Sequence, residues 1–219
     1  MCFSAQADVV GGLVVTAIGV DVLAHVRGRR KHMALAALPM LLGVHQLVEA
    51  FVWWGLQGHV DAGVGRVATW IYLLIAFVVL PVFVPLAVMA LEPDRRKRRF
   101  MLVFAVLGVA VAAVLLAAMA RGPAKAVLGD NHLSYSTDLR AGLVIVVVYI
   151  VATCGSLIMS SYRDVAVFGI VNLVAVGVIA ELTIDGFASL WCAWAAIASA
   201  AFAIHLRYGR GGTKRVLLQ

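Results

Sequence analysis

GVHQLVEAFVWWG, residues 43–55, decides how this chain is read. Apolar residues run through it and on both sides, from about 33 to 56, and roughly 20 such residues carry an α-helix across the hydrocarbon of a bilayer. His45 and Glu49 interrupt that run one helical turn apart. With Trp53 they recur at i, i+4 and i+8, so the three share one helical face, and Gln46 flanks it. A carboxylate at the centre of a bilayer costs about 3 kcal/mol on insertion scales, so this stripe is expected to face the interior of a bundle.

The rest of the chain has the same character. Its 219 residues are 63% hydrophobic and 13% charged, and that charged share is about half of what a soluble domain carries. Seven apolar segments, at about 8–26, 33–56, 67–91, 100–120, 141–159, 165–184 and 187–206, divide it without a long apolar remainder. The expected fold is all-α: a seven-transmembrane-helix bundle forming a single integral membrane domain over residues 1–219. RGRRKH (27–32), EPDRRKRR (92–99), SYRD (161–164) and RYGRGGTKR (207–215) alternate with poorly basic connections. By the positive-inside rule the N terminus is outside and the C terminus inside, as in a multi-pass protein of the cell inner (cytoplasmic) membrane.

Charge and cysteine content exclude other classes. The net charge of +7 is gathered in short juxtamembrane segments on one expected face. The lipid bilayer, with anionic headgroups at the inner face, is therefore the expected partner rather than nucleic acid, and no protein partner is indicated. MCFSAQAD lacks a basic n-region, so the first segment is expected to stay as an anchor, and Cys2 has no lipobox before it. Cys154 and Cys192 are expected on opposite sides of the membrane midplane, which argues against a disulfide framework. No phosphate loop, CxxC pair, HExxH or GxSxG is present. Every lysine (Lys31, Lys97, Lys125, Lys214) lies outside the apolar segments, so a retinal Schiff base has no anchor.

Three further features bear on function. The connection at about 121–140 is long and polar, a natural lid or partner surface. Pro81 and Pro85 remove two backbone donors from the third segment and are expected to bend it. Glu49 and Glu181 each stand 16 residues past the start of a segment, at Met33 and Val165. A rise of about 1.5 Å per residue gives them similar depth, which suggests a weak 3+1+3 repeat with paired carboxylates.

The candidate site collects these groups in the outer half of the bundle. His45, Glu49, Cys192 and Cys2 are the candidate metal ligands, since imidazole, carboxylate and thiolate suit zinc, copper or iron. Glu181 is the candidate catalytic base, and Trp53 and Trp191 are expected to line the cavity of a bound cofactor such as a metal or haem. Near the other membrane face, Asp21, His25 and His205 are candidates for an inner gate or for headgroup anchors.

MCFSA, HQLVEAFVWWG, LPVFVPLAVMALEPDRRKRR and SLWCAWAA together make the chain resemble an uncharacterised family of bacterial membrane proteins that begin Met-Cys-Phe-Ser. The resemblance covers most of the chain and implies the topology, but brings no established activity. Three functions are consistent with the residues: a membrane-embedded metalloenzyme, a small-solute or proton-coupled transporter using paired intramembrane carboxylates, and a structural accessory subunit whose polar residues hold helices together.

Overall fold

Helix starts are set by short polar side chains placed just before apolar runs. Ser4 accepts a hydrogen bond from the Ala7 N–H (3.2 Å), Asp61 from Gly63 (2.7 Å) and Asp94 from Arg96 (2.7 Å), each satisfying a donor that the first turn leaves open. The computed structural model of the chain describes residues 4–122, 125–128, 133–136, 142–182 and 187–208. Within them seven helical rods form a bundle. They are α1 (Ala5–His25), α2 (Arg30–Ala36) with α3 (Leu38–Leu56), α4 (Ala62–Leu74) with α5 (Leu80–Leu91), α6 (Arg95–Arg121), α7 (Gly142–Ile150) with α8 (Ser156–Ile158), α9 (Arg163–Leu182) and α10 (Phe187–Tyr208).

Five rods are long and apolar enough to cross a membrane by length and composition, and Gly142–Ile158 and Leu190–His205 are shorter apolar helices. Large apolar side chains point outward along most of them; Leu143 is 79% exposed and Val106 65%. That inverts the usual pattern of a water-soluble protein and suits a lipid surrounding.

Small residues let α1 and α3 approach. The buried stripe of α1 is Ala5, Asp8, Gly12, Val15, Gly19 and Val22, spaced alternately three and four apart. A Cβ on Gly12 would stand 2.8 Å from the Leu47 side chain and 2.9 Å from the Gly43 carbonyl oxygen. Close backbone approach of this kind is how helices gain packing energy where lipid competes for every apolar surface.

Prolines shape the second and third rods. Pro39 cannot donate into the preceding turn, and the rod breaks at Ala37 between α2 and α3. In the third rod, the bend expected from Pro81 and Pro85 takes the form of a π-helical turn, Ile75–Val79, just before α5. Its Ala76 carbonyl accepts the Tyr149 hydroxyl at 2.7 Å. Pro85 leaves the Pro81 carbonyl without its helical donor, and Gly108 of α6 packs directly over that oxygen.

Two apolar clusters fill the bundle. The larger one includes Leu42, Leu80, Val84, Leu91, Met101, Leu157 and Phe168. A smaller one, Ala5, Ala50, Trp53, Ala68, Tyr72, Leu73 and Met119, lies at the end away from the basic turns. At the basic end Glu92 is buried, and its carboxylate accepts from the backbone N–H of Asp94 (3.2 Å) and of Ser161 (2.9 Å), tying two turns together.

The connection read as an irregular lid contains regular structure. Strands β1 (Lys125–Leu128) and β2 (Leu133–Ser136) pair antiparallel, Lys125 opposite Ser136 and Leu128 opposite Leu133. The bundle itself is all-helical, as expected, and this hairpin is an addition to it. Apolar residues alternate too briefly there to signal a strand without its partner. The hairpin backbone packs against α3 and α10.

Candidate functional site

The polar stripe of α3 faces inward. His45 and Glu49 are fully buried, Gln46 and Trp53 nearly so, and all four lie between α1, α4 and α10. The His45 ring stacks on Tyr72 of α4, with centroids 4.0 Å apart and planes 17° from parallel. Oriented so that donors meet acceptors, the Gln46 amide nitrogen donates to Asp8 Oδ1 (3.0 Å) and its oxygen accepts from the Ala193 N–H (3.2 Å). One side chain of α3 therefore joins α1 to α10.

Asp8 is the residue that the sequence reading missed. It is fully buried, and its carboxylate lies within electrostatic reach of Glu49 and of the Trp53 indole. From Cys192 the thiol reaches the same place, beside Glu49 and the Tyr72 hydroxyl. Both His45 ring nitrogens are buried without a hydrogen-bond partner among the described residues, while the Trp53 indole N–H faces the Asp8 carboxylate. A fully buried imidazole with neither nitrogen engaged among the described residues is unusual for a merely structural core.

The expected constellation is thus assembled in part. His45, Glu49, Trp53 and Cys192 come together, while Cys2 lies outside the described residues. Glu181 is exposed in the last turn of α9, following Val167, Val171, Val174 and Val178 along the outward stripe, so it does not pair with Glu49. Equal distance from the helix start sets depth, not the direction in which a side chain leaves the helix. Trp70, two residues before Tyr72 on α4, also points outward. Among the described residues no three of His, Cys, Asp and Glu converge as a group able to hold a metal ion. At the basic end Asp21, His25 and His205 are all exposed, and none is buried as a gate.

Next to this site lies a cavity of about 70 Å³, bounded by α3, α5, α9, α10 and a second π-helical turn, Val151–Gly155. Cys154 and Cys192, expected on opposite sides of the midplane, both line it. The π turn buries Ala152, Thr153 and Cys154 in succession, which an α-helical turn does not present to one neighbour. Trp191 meets Tyr149 edge to face at 5.1 Å on the cavity wall.

The family model DUF6629, described as a family of unknown function, matches residues 1–215. The chain belongs to this family. No curated protein and no solved structure matches it. Membership in DUF6629 agrees with the resemblance to an uncharacterised family and assigns no activity to the buried cluster, whose chemistry therefore has to be read from its residues.

Proposed function

We propose that this DUF6629 protein is a proton-coupled carrier of a small solute in the cell inner membrane, with Asp8 and Glu49 as its proton-binding pair. The observation that carries the reading is the burial of these two carboxylates on adjacent helices, within each other's field, in a bundle whose outer surface is apolar. Two like charges in one water-poor interior are costly, so in this reading the pair holds one proton between them, and gaining or losing it changes the charge that the bundle must hold. His45, neither of whose ring nitrogens is hydrogen-bonded among the described residues, stands one turn away as a relay.

The membrane orientation belongs to the same reading. Seven spans with the N terminus outside place the Asp8–Glu49 pair in the outer half, under the hairpin, and put the exposed basic start of α6 against anionic headgroups inside. A carrier fits the described residues better than a metal centre, because a ligand set for zinc, copper or iron would need Cys2 added to His45, Glu49 and Cys192. It also fits better than a purely structural subunit, which gains nothing from unpaired buried donors and acceptors.

Reconstitution into vesicles with a pH-sensitive dye inside tests this. With a pH gradient imposed and small solutes supplied outside, the wild type is expected to acidify the lumen at least tenfold faster than its folded Glu49→Gln variant. Equal rates for the two proteins would remove Glu49 from the proton site.

A further inference from the structure

We infer that the cavity beside His32, at the basic end of the bundle, is a water site that serves as the bundle's inner aqueous port. His32 stands in the first turn of α2, with Lys31 and Met33 exposed on either side of it. Its own side chain turns inward and is only 9% exposed. Neither ring nitrogen has a hydrogen-bond partner among the described residues, and His32 lines a cavity of about 30 Å³ between α1, α2, α3, α5 and α10. An imidazole offers a donor and an acceptor when neutral and two donors when charged, so in either form it calls for a partner in that space.

The size of the cavity and its wall decide what that partner is. One water requires ~10–15 Å³, so the space holds about two and is too small for an organic solute. No Asp, Glu, Lys or Arg lines it, so an ion would lose its hydration there without a countercharge. Polar groups able to hold water are present. Ser199, 1% exposed, donates its hydroxyl to the Ala196 carbonyl (2.9 Å), which leaves its oxygen able to accept. Pro39 has no N–H to give the Leu35 carbonyl one turn before it, and both residues belong to the wall. With the nitrogens of His32, these supply the roughly two to four contacts that keep a buried water in place.

Position gives the water a use. Asp21, His25 and His205 at this end are exposed, whereas His32 faces the interior. Leu38 lines this cavity and also the larger one that Cys192 shares, and Cys192 stands beside Glu49. The two spaces thus meet at Leu38, and His32 with its waters is where a proton released from the Asp8–Glu49 pair would reach the inner face. That use rests on the carrier reading; the water site itself does not.

Solid-state NMR of the full chain in lipid bilayers tests the site, with ¹⁵N-labelled histidine and the His32 signals identified by their loss in His32→Gln. Magnetisation is expected to pass from water to the His32 ring about as fast as to exposed His59, and roughly tenfold more slowly in Ala36→Leu, whose longer side chain fills the cavity. No transfer to His32 in the wild type, or equal transfer in the wild type and folded Ala36→Leu, would overturn the inference. If Ala36→Leu does not fold, the wild-type spectrum decides alone. Water at His32 in a protein without proton flux would leave this site in place and sink only the carrier; a dry His32 in a protein that carries protons would do the reverse.

Discussion

Gly108→Val is expected to prevent the bundle from assembling. A side chain at position 108 has nowhere to go: its Cβ would overlap the carbonyl oxygen of Pro81, and the obstacle is backbone, which cannot rotate aside. Moving α6 outward would strip the contact that covers an oxygen already deprived of its helical donor by Pro85. Overpacking of a tight site costs up to about 3 kcal/mol, at times more, which is a large share of a domain's whole stability. The expected outcome is loss of monodisperse protein in size-exclusion chromatography, while Gly177→Val, at a position with open space around its Cβ, purifies as the wild type does. Equal yields would mean that α6 and the third rod are free to separate.

Gln46→Leu is expected to be the most damaging single change inside the polar cluster. Its amide bridges Asp8 on α1 and the Ala193 N–H on α10, and with leucine in its place the buried Asp8 carboxylate loses the amide donor to its Oδ1. Leaving a buried polar group unsatisfied costs about 1–3 kcal/mol, more if it is charged. The expected result is a lowered midpoint in thermal unfolding, restored in good part by adding Asp8→Leu, because removing both partners is far less costly than removing one. A double variant no more stable than Gln46→Leu would show that Asp8 does not depend on this amide.

How much of this was legible in the sequence depends on the residue. The inward face of α3 was readable, because His45, Glu49 and Trp53 repeat at helical spacing inside a run that otherwise has no polar residues but Gln46. Cys192 stands beside Glu49 as well. Asp8 was hidden because it stands in the first turn of α1, where an acid has an ordinary explanation as a helix-start residue. Its register with Gly12 and Gly19 on the buried stripe was the available signal. Glu181 was misassigned because spacing along a helix gives height, whereas the valines preceding it at three- and four-residue steps already traced the outward stripe. The two π-helical turns had no such trace, since an extra residue in a turn shifts the phase of a helix without changing its composition. The cavity between them was therefore unreadable, and so was the meeting of Cys154 with Cys192.

The shared proton of Asp8 and Glu49 can be observed directly by infrared spectroscopy of the purified protein. At neutral pH the wild type is expected to show the carbonyl stretch of a protonated carboxyl, shifted or lost in Asp8→Asn and in Glu49→Gln and absent from the double variant. A wild-type spectrum with every carboxyl ionised, or a protonated band that both variants leave untouched, would contradict the proton-binding pair.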